Sequence, residues 1–304
     1  MIAQLPAPLA AELAQRRRRF QHYLWHRVRE CWPRLTEGER RAVCDINPGW
    51  APPRPALDAA GRPLRDNESG EDFLFMHRQM IRFADRILAR AADASCARVE
   101  GWRRVPPPGD TAYPVPEFPD SELEEVKSPA YFVRFVARWE RQYTDPAYLA
   151  SVTLGQLGSD LEFTICHDMH VRWAAPSPVG YRQPARPSQE ISEQWDAPAY
   201  DYLGDTYSSH VNPLFWKIHG WADERVEDWK RAHAVVGDIG WRGTWVGPRE
   251  FAGGGATPEE ACDEMQSVDR VISASAAAGI DGFYRQVPRT LRSSGQTPPR
   301  STRP

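Results

Sequence analysis

The chain has 304 residues, 41% of them hydrophobic, with 12 tryptophans, 10 tyrosines and 11 phenylalanines, enough to close one sizeable core. A net charge of −3 does not suggest a nucleic-acid partner, and no apolar run reaches the roughly 18 residues of a membrane span. Met1 to Ala14 lacks an apolar stretch of signal-peptide length, and Cys31, Cys44, Cys96, Cys166 and Cys262 form neither a zinc knuckle nor a disulfide framework, so a reducing, cytoplasmic setting is expected.

Residues 10–32 are expected as one helix with Phe20, Leu24, Val28 and Cys31 turned inward. That places His22 and His26, four apart, on the opposite and solvated side, with recruitment to His77 as the alternative. Residues 1–34 then form an N-terminal helix ahead of a metal-binding helical core over 35–240. Thr36 and Glu39 have capping-box spacing, and 48–70 is loop. Asp72 to Ala92 is a strong helix whose one face carries His77, Met80, Ile81, Ala84, Leu88 and Ala91. The 28 prolines, roughly twice the usual share, gather outside the helical stretches. They mark a loop over 105–119 and an insertion over 176–198. Residues 122–126 are acidic linker or a helical turn. Further helices are expected over 129–143, 146–156, 158–173 and 213–234. A C-terminal extension over 241–291 includes a helix at 257–279, and the Ser-, Pro-, Arg- and Thr-rich tail 292–304 is expected to be disordered. Strand signals are weak, so the class is mainly α: a helical bundle with long, irregular, Pro-rich loops.

The histidines carry the chemistry. Asn212 is placed to cap a helix, with Pro213 at its first turn where a missing N–H costs nothing. Phe215, His219 and Asp223 follow along one side, which Val226 continues. An imidazole between an aromatic ring and a carboxylate is either a core histidine bonded to Asp223 or a metal ligand. His167 and His170 lie three apart on the 158–173 helix, about 60° around its axis, flanking the stripe Leu161, Ile165 and Met169. Together with His219 they offer three imidazoles, a set that suits copper or zinc with coordination left open. His77 reads by default as a core histidine bonded to Asp85, although Glu68 or Asp66 could complete an oxygen-rich site with it. His210, just ahead of the Asn212 helix, is a spare ligand or a substrate contact, and His233 is a dipole partner at the end of that helix.

The run Asn212-Pro213-x-Phe215-Trp216-x-x-His219-x-x-x-Asp223 resembles the second-copper signature of the tyrosinase and hemocyanin group of type 3 copper proteins, with Asn212 where Asp is usual. Phe73-Leu74-x-Met76-His77-Arg78, followed by Ile81 and Asp85, resembles the first-copper element, with Met76, Ile81 and Asp85 replacing an aromatic, a Leu or Met, and a Glu. Leu161-Glu162 followed by His167-x-x-His170 is similar to the His-x-x-x-His helix of that group, one residue shorter. A strict register sets Cys166 opposite the first ligand and His170 opposite the second. A one-residue slip selects His167 instead, and Cys166 stays open as a softer, thiolate alternative. The resemblance, over about residues 35–235, implies a tyrosinase-like helical bundle with copper on His167, His170 and His219, and Asp223 supporting the ligand helix. It also makes His77 the third ligand of a first copper whose second ligand position holds Glu68, so that site is incomplete. The run Trp195 to Tyr207 is similar to bacterial tyrosinase-like proteins related to the pyoverdine-maturation tyrosinase, which occur near peptide natural-product pathways. What the resemblance implies is an oxidoreductase with one copper ion or two, acting on a phenolic or aminophenolic metabolite, a small aromatic substrate that is free, carrier-linked or peptide-linked. The alternatives are a non-catalytic tyrosinase-like binding protein and a zinc hydrolase with Glu162 as its candidate base.

Overall fold

The computed structural model describes residues 4–37, 40, 54–91, 98–117, 123–181 and 191–242. It is mainly helical: beyond one isolated bridge between Leu57 and Pro63, no strand occurs among the described residues. None of the described helices is long and apolar enough to cross a membrane. Glu39, the helix expected at 257–279, the 292–304 tail, and Cys44, Cys96 and Cys262 lie outside the described residues.

The helix expected over 10–32 is two helices, α1 (Ala7–Leu13) and α2 (Arg16–Cys31). The chain turns extended at Gln15, and the carbonyl of Ala14 accepts from Arg19 Nε at 2.9 Å. The long helix α3 (Ser69–Ala91) opens with Glu71 and Asp72 in its first turn, where acidic groups complement the helix dipole. Helix α4 covers 129–143 and is continuous through a wide π turn at Phe132–Val136.

The segment expected as one helix over 146–156 breaks at Val152. α5 (Pro146–Ser151) ends there, and Thr153 caps a new helix in a full capping box with Gln156. That helix, α6, runs without interruption over 154–173 and contains a second π turn at Glu162–Cys166. A π turn holds one residue more than an α turn, so faces counted on one side of it are displaced on the other. Helix α7 (Pro213–Ala232) starts where the sequence places it. Asn212 Oδ1 accepts from Leu214 N at 2.9 Å while its Nδ2 donates to the Asp201 carbonyl at 2.8 Å. An aspartate could make only the first of these bonds, which accounts for asparagine at this position.

Helices α3 and α6 approach backbone to backbone. A Cβ built on Gly158 would lie 2.0 Å from the Gly70 carbonyl oxygen, so glycine is required at this crossing. One buried cluster spans the molecule, joining Leu9, Leu13 and Trp25 of the first two helices to Met76 of α3, Leu161 of α6, and Phe215 and Trp221 of α7. Histidines from α2, α3, α6 and α7 meet within it.

Candidate metal centre

Helix α2 turns a polar stripe inward. Arg18, His22, Trp25 and Arg29 are all buried, and His26 is partly exposed beside them. The expectation of a solvated face for His22 and His26 is therefore corrected. It assumed that buried means apolar, but buried charge is stable when paired and hydrogen-bonded. Arg29 grips Glu162 with both ends of its fork, at 2.7 and 3.1 Å, and donates to the Ser69 carbonyl at 2.8 Å. Arg19 donates to the carbonyls of Ala14, Ala197 and Tyr200.

The result is a three-imidazole group. His22, His26 and His77 each bring one ring nitrogen within 4.8 Å of the others, close enough to hold a metal ion. The proton positions suit that role. His77 Nδ1 lies 2.9 Å from the Phe73 carbonyl, which can only accept, so the ring proton sits on Nδ1 and the lone pair on Nε2. His77 Nε2 and His22 Nε2 are buried with no hydrogen-bond partner among the described residues. Unpaired buried nitrogens are costly in a packed core, and a cation between them would remove that cost. Burial lowers the pKa of all three rings, His22 to about 3 and His26 and His77 well below the ordinary histidine value. They are neutral at pH 7, the form that binds a metal.

A second group stands against the first. His170 donates from Nδ1 to the Leu203 carbonyl at 3.0 Å, and its Nε2 lies 3.1 Å from His219 Nε2. Two imidazole nitrogens sharing a tetrahedral ion at about 2.0–2.1 Å would stand about 3.3 Å apart. Burial lowers both pKa values, that of His170 to about 4. His219 stacks flat on His77, with ring centroids 4.0 Å apart and an interplanar angle of 4°. Phe215 packs on His219 at 4.1 Å and also faces His22, His170 and His77 at 5.4 to 6.0 Å, so one phenyl ring walls both groups.

The remaining candidates are placed elsewhere. His167 bonds Asp168 Oδ1 through Nδ1 at 3.2 Å, with its side chain 38% exposed, and Asp168 also accepts from the Tyr131 hydroxyl at 2.6 Å. Its influence on His170 is one of charge. Cys166 is buried, and burial together with the Glu162 carboxylate pushes its thiol up, away from the thiolate a soft metal would need. Glu162 is held by Arg29 and is not a free base. Asp223 pairs with Arg78 at 2.6 Å, not with His219, and Asp85 accepts from the Val99 amide at 2.6 Å, not from His77. Both default pairings for a core histidine are thus corrected. Glu68, in a left-handed conformation (φ 62°), accepts from Thr153 Oγ1 at 2.8 Å at the start of α6. His210 is fully buried against His22. His233 ends α7 as expected, stacked on Trp229 and bonded to the Leu149 carbonyl at 2.9 Å.

The i, i+4 spacing of His22 and His26 was the available signal for the first group, and Trp25 and Arg29 extend it into a stripe. Only an assumption about polarity sent that stripe outward. No protein-family model matches this chain, and no curated protein matches it significantly. The likeness to the tyrosinase group stands on its motif residues.

Proposed function

We propose that the chain is a tyrosinase-like, copper-dependent oxidoreductase of a phenolic or aminophenolic metabolite, with metal positions at His22, His26 and His77 and at His170 and His219. The observation that carries this reading is the stack of His77 on His219, which sets the three-imidazole group of α2 and α3 beside the pair from α6 and α7. Both motif histidines of the type 3 resemblance lie in that stack. An all-imidazole donor set suits copper, and copper so bound would supply the electron exchange with dioxygen that oxidation of a phenol requires.

The chain's own residues do the rest. Backbone carbonyls of Phe73 and Leu203 accept from Nδ1 of His77 and His170, which leaves the Nε2 lone pair of each ring for a metal. Phe215 keeps water from the shared wall, and the partly exposed His26 marks the side open to a substrate. Protein purified without chelators should carry copper at both positions and oxidise a catechol or aminophenol with oxygen uptake. His77→Ala should lose most of the copper and at least roughly a hundredfold in rate, as loss of a first ligand exceeds the 10–100-fold typical of outer partners. Zinc alone, or copper-loaded protein without oxygen uptake on any such substrate, would refute this function.

One observation favours a second reading. With His167 bonded to Asp168, the α6–α7 position has two imidazoles. A protein with a single metal, or a non-catalytic binding protein of a natural-product pathway, fits that count, and substoichiometric copper without turnover would select it.

A further inference from the structure

The ring of His22 meets a partner from outside its own helix. Its Nδ1 lies 3.2 Å from Nδ1 of His210, and His210 Nε2 lies 3.1 Å from the carbonyl of Leu13. Both rings are 1% exposed, and His210 sits on the turn Ser209–Val211, held between α1 and α7. The Leu13 oxygen can only accept, so Nε2 of His210 carries the proton. A neutral His210 then presents a lone pair at Nδ1, and the short contact is a hydrogen bond only if His22 donates from its own Nδ1. The lone pair of His22 is left on Nε2, which is buried without a partner among the described residues, in a ring grouped with those of His26 and His77.

We propose that His210 is a positioning residue for the first metal site: a buried imidazole that relays the Leu13 carbonyl to His22 and so fixes which nitrogen His22 offers the ion. This rests on the metal-site part of the functional reading and not on copper or on oxidation. It makes α1 part of the site, since the chain of bonds ends on that helix, and it assigns a role to a histidine that is not itself a ligand. Outer partners of this kind commonly alter metal affinity by 10–100-fold.

The test is a titration of metal-free protein with zinc(II) against a competing chelator. His210→Gln keeps an acceptor toward His22 and a donor toward Leu13, whereas His210→Phe keeps the ring and loses both. The phenylalanine variant should bind zinc at the first site roughly 10–100-fold more weakly than wild type, and the glutamine variant should recover most of that loss. Equal affinity in wild type and His210→Phe, with His22→Ala weakened, would overturn the proposal. Should the phenylalanine variant not fold, long-range proton–nitrogen spectra of histidine-labelled wild type decide the matter. They should show His22 protonated at Nδ1 and His210 at Nε2, and the opposite tautomer of His22 would overturn it. Wild type that binds zinc as described but never oxidises a phenol would defeat the proposed function and leave this assignment standing.

Discussion

At the scale of single residues, the centre depends on charges that never reach water. Arg29 is fully buried, and its salt bridge to the 8%-exposed Glu162 side chain lies four residues after Trp25 on the helix that carries His22 and His26. Removing one partner of such a pair leaves the other uncompensated, at a cost of about 3–5 kcal/mol. Arg29→Ala should therefore lower the unfolding free energy measured in urea by that much, and more than the same change at the exposed Arg62, whose pairing with Asp58 is open to solvent. Equal effects at the two positions would show that the buried pair is not what holds α2 in place. The same scale explains why Asp223 and Asp85 do not serve the histidines: each carboxylate has a stronger or closer donor, the Arg78 guanidinium and the Val99 amide.

At the scale of helices, the crossing of α3 and α6 decides where His77 stands relative to His170. Gly70, Gly155 and Gly158 let the two backbones touch, and a methyl group on Gly158 would fall 2.0 Å from a backbone oxygen that cannot move aside. Gly158→Ala should cost at least the 1–3 kcal/mol typical of overpacking, read as a lower thermal midpoint, and should weaken metal binding as α3 shifts. An alanine variant of wild-type stability would mean that the helices pass farther apart than described. The π turn at Glu162–Cys166 belongs here as well. It displaces the faces of α6 by one residue just ahead of His167, so that His170 points to His219 while His167 turns to Asp168.

At the scale of the whole molecule, six histidines, His22, His26, His77, His170, His210 and His219, have pKa values lowered by burial. In the unfolded chain each would titrate near 6.5. Below that pH the unfolded state takes up protons that the native state refuses, so stability is complete above about pH 7 and falls as the pH drops toward the native values, about 3 for His22 and about 4 for His170. Each proton contributes about 1.4 kcal/mol per pH unit across that window. Metal-free protein should lose several-fold more of its urea resistance between pH 7 and pH 5 than a protein with one buried histidine, and added zinc should move the acid limb downward. A flat profile over that range would mean the histidines are not buried neutral.

Much of the helical frame was legible without coordinates. The Asn212–Pro213 start of α7, the extents of α3 and α4 and the loops between them follow from caps, prolines and apolar spacing, all of which act within a few residues of one another. The inward position of His77 and His219 followed from the same periodicity. Which histidines join them did not. His22 and His26 reach His77 across some fifty residues of chain, and His210 reaches His22 across 188. No local pattern encodes those distances, because they come from how α2 packs its polar stripe on α3 and from the pairing of Arg29 with Glu162. A helix face that buries arginine and imidazole looks solvent-exposed until its partners are known, and only the tertiary structure supplies the partners.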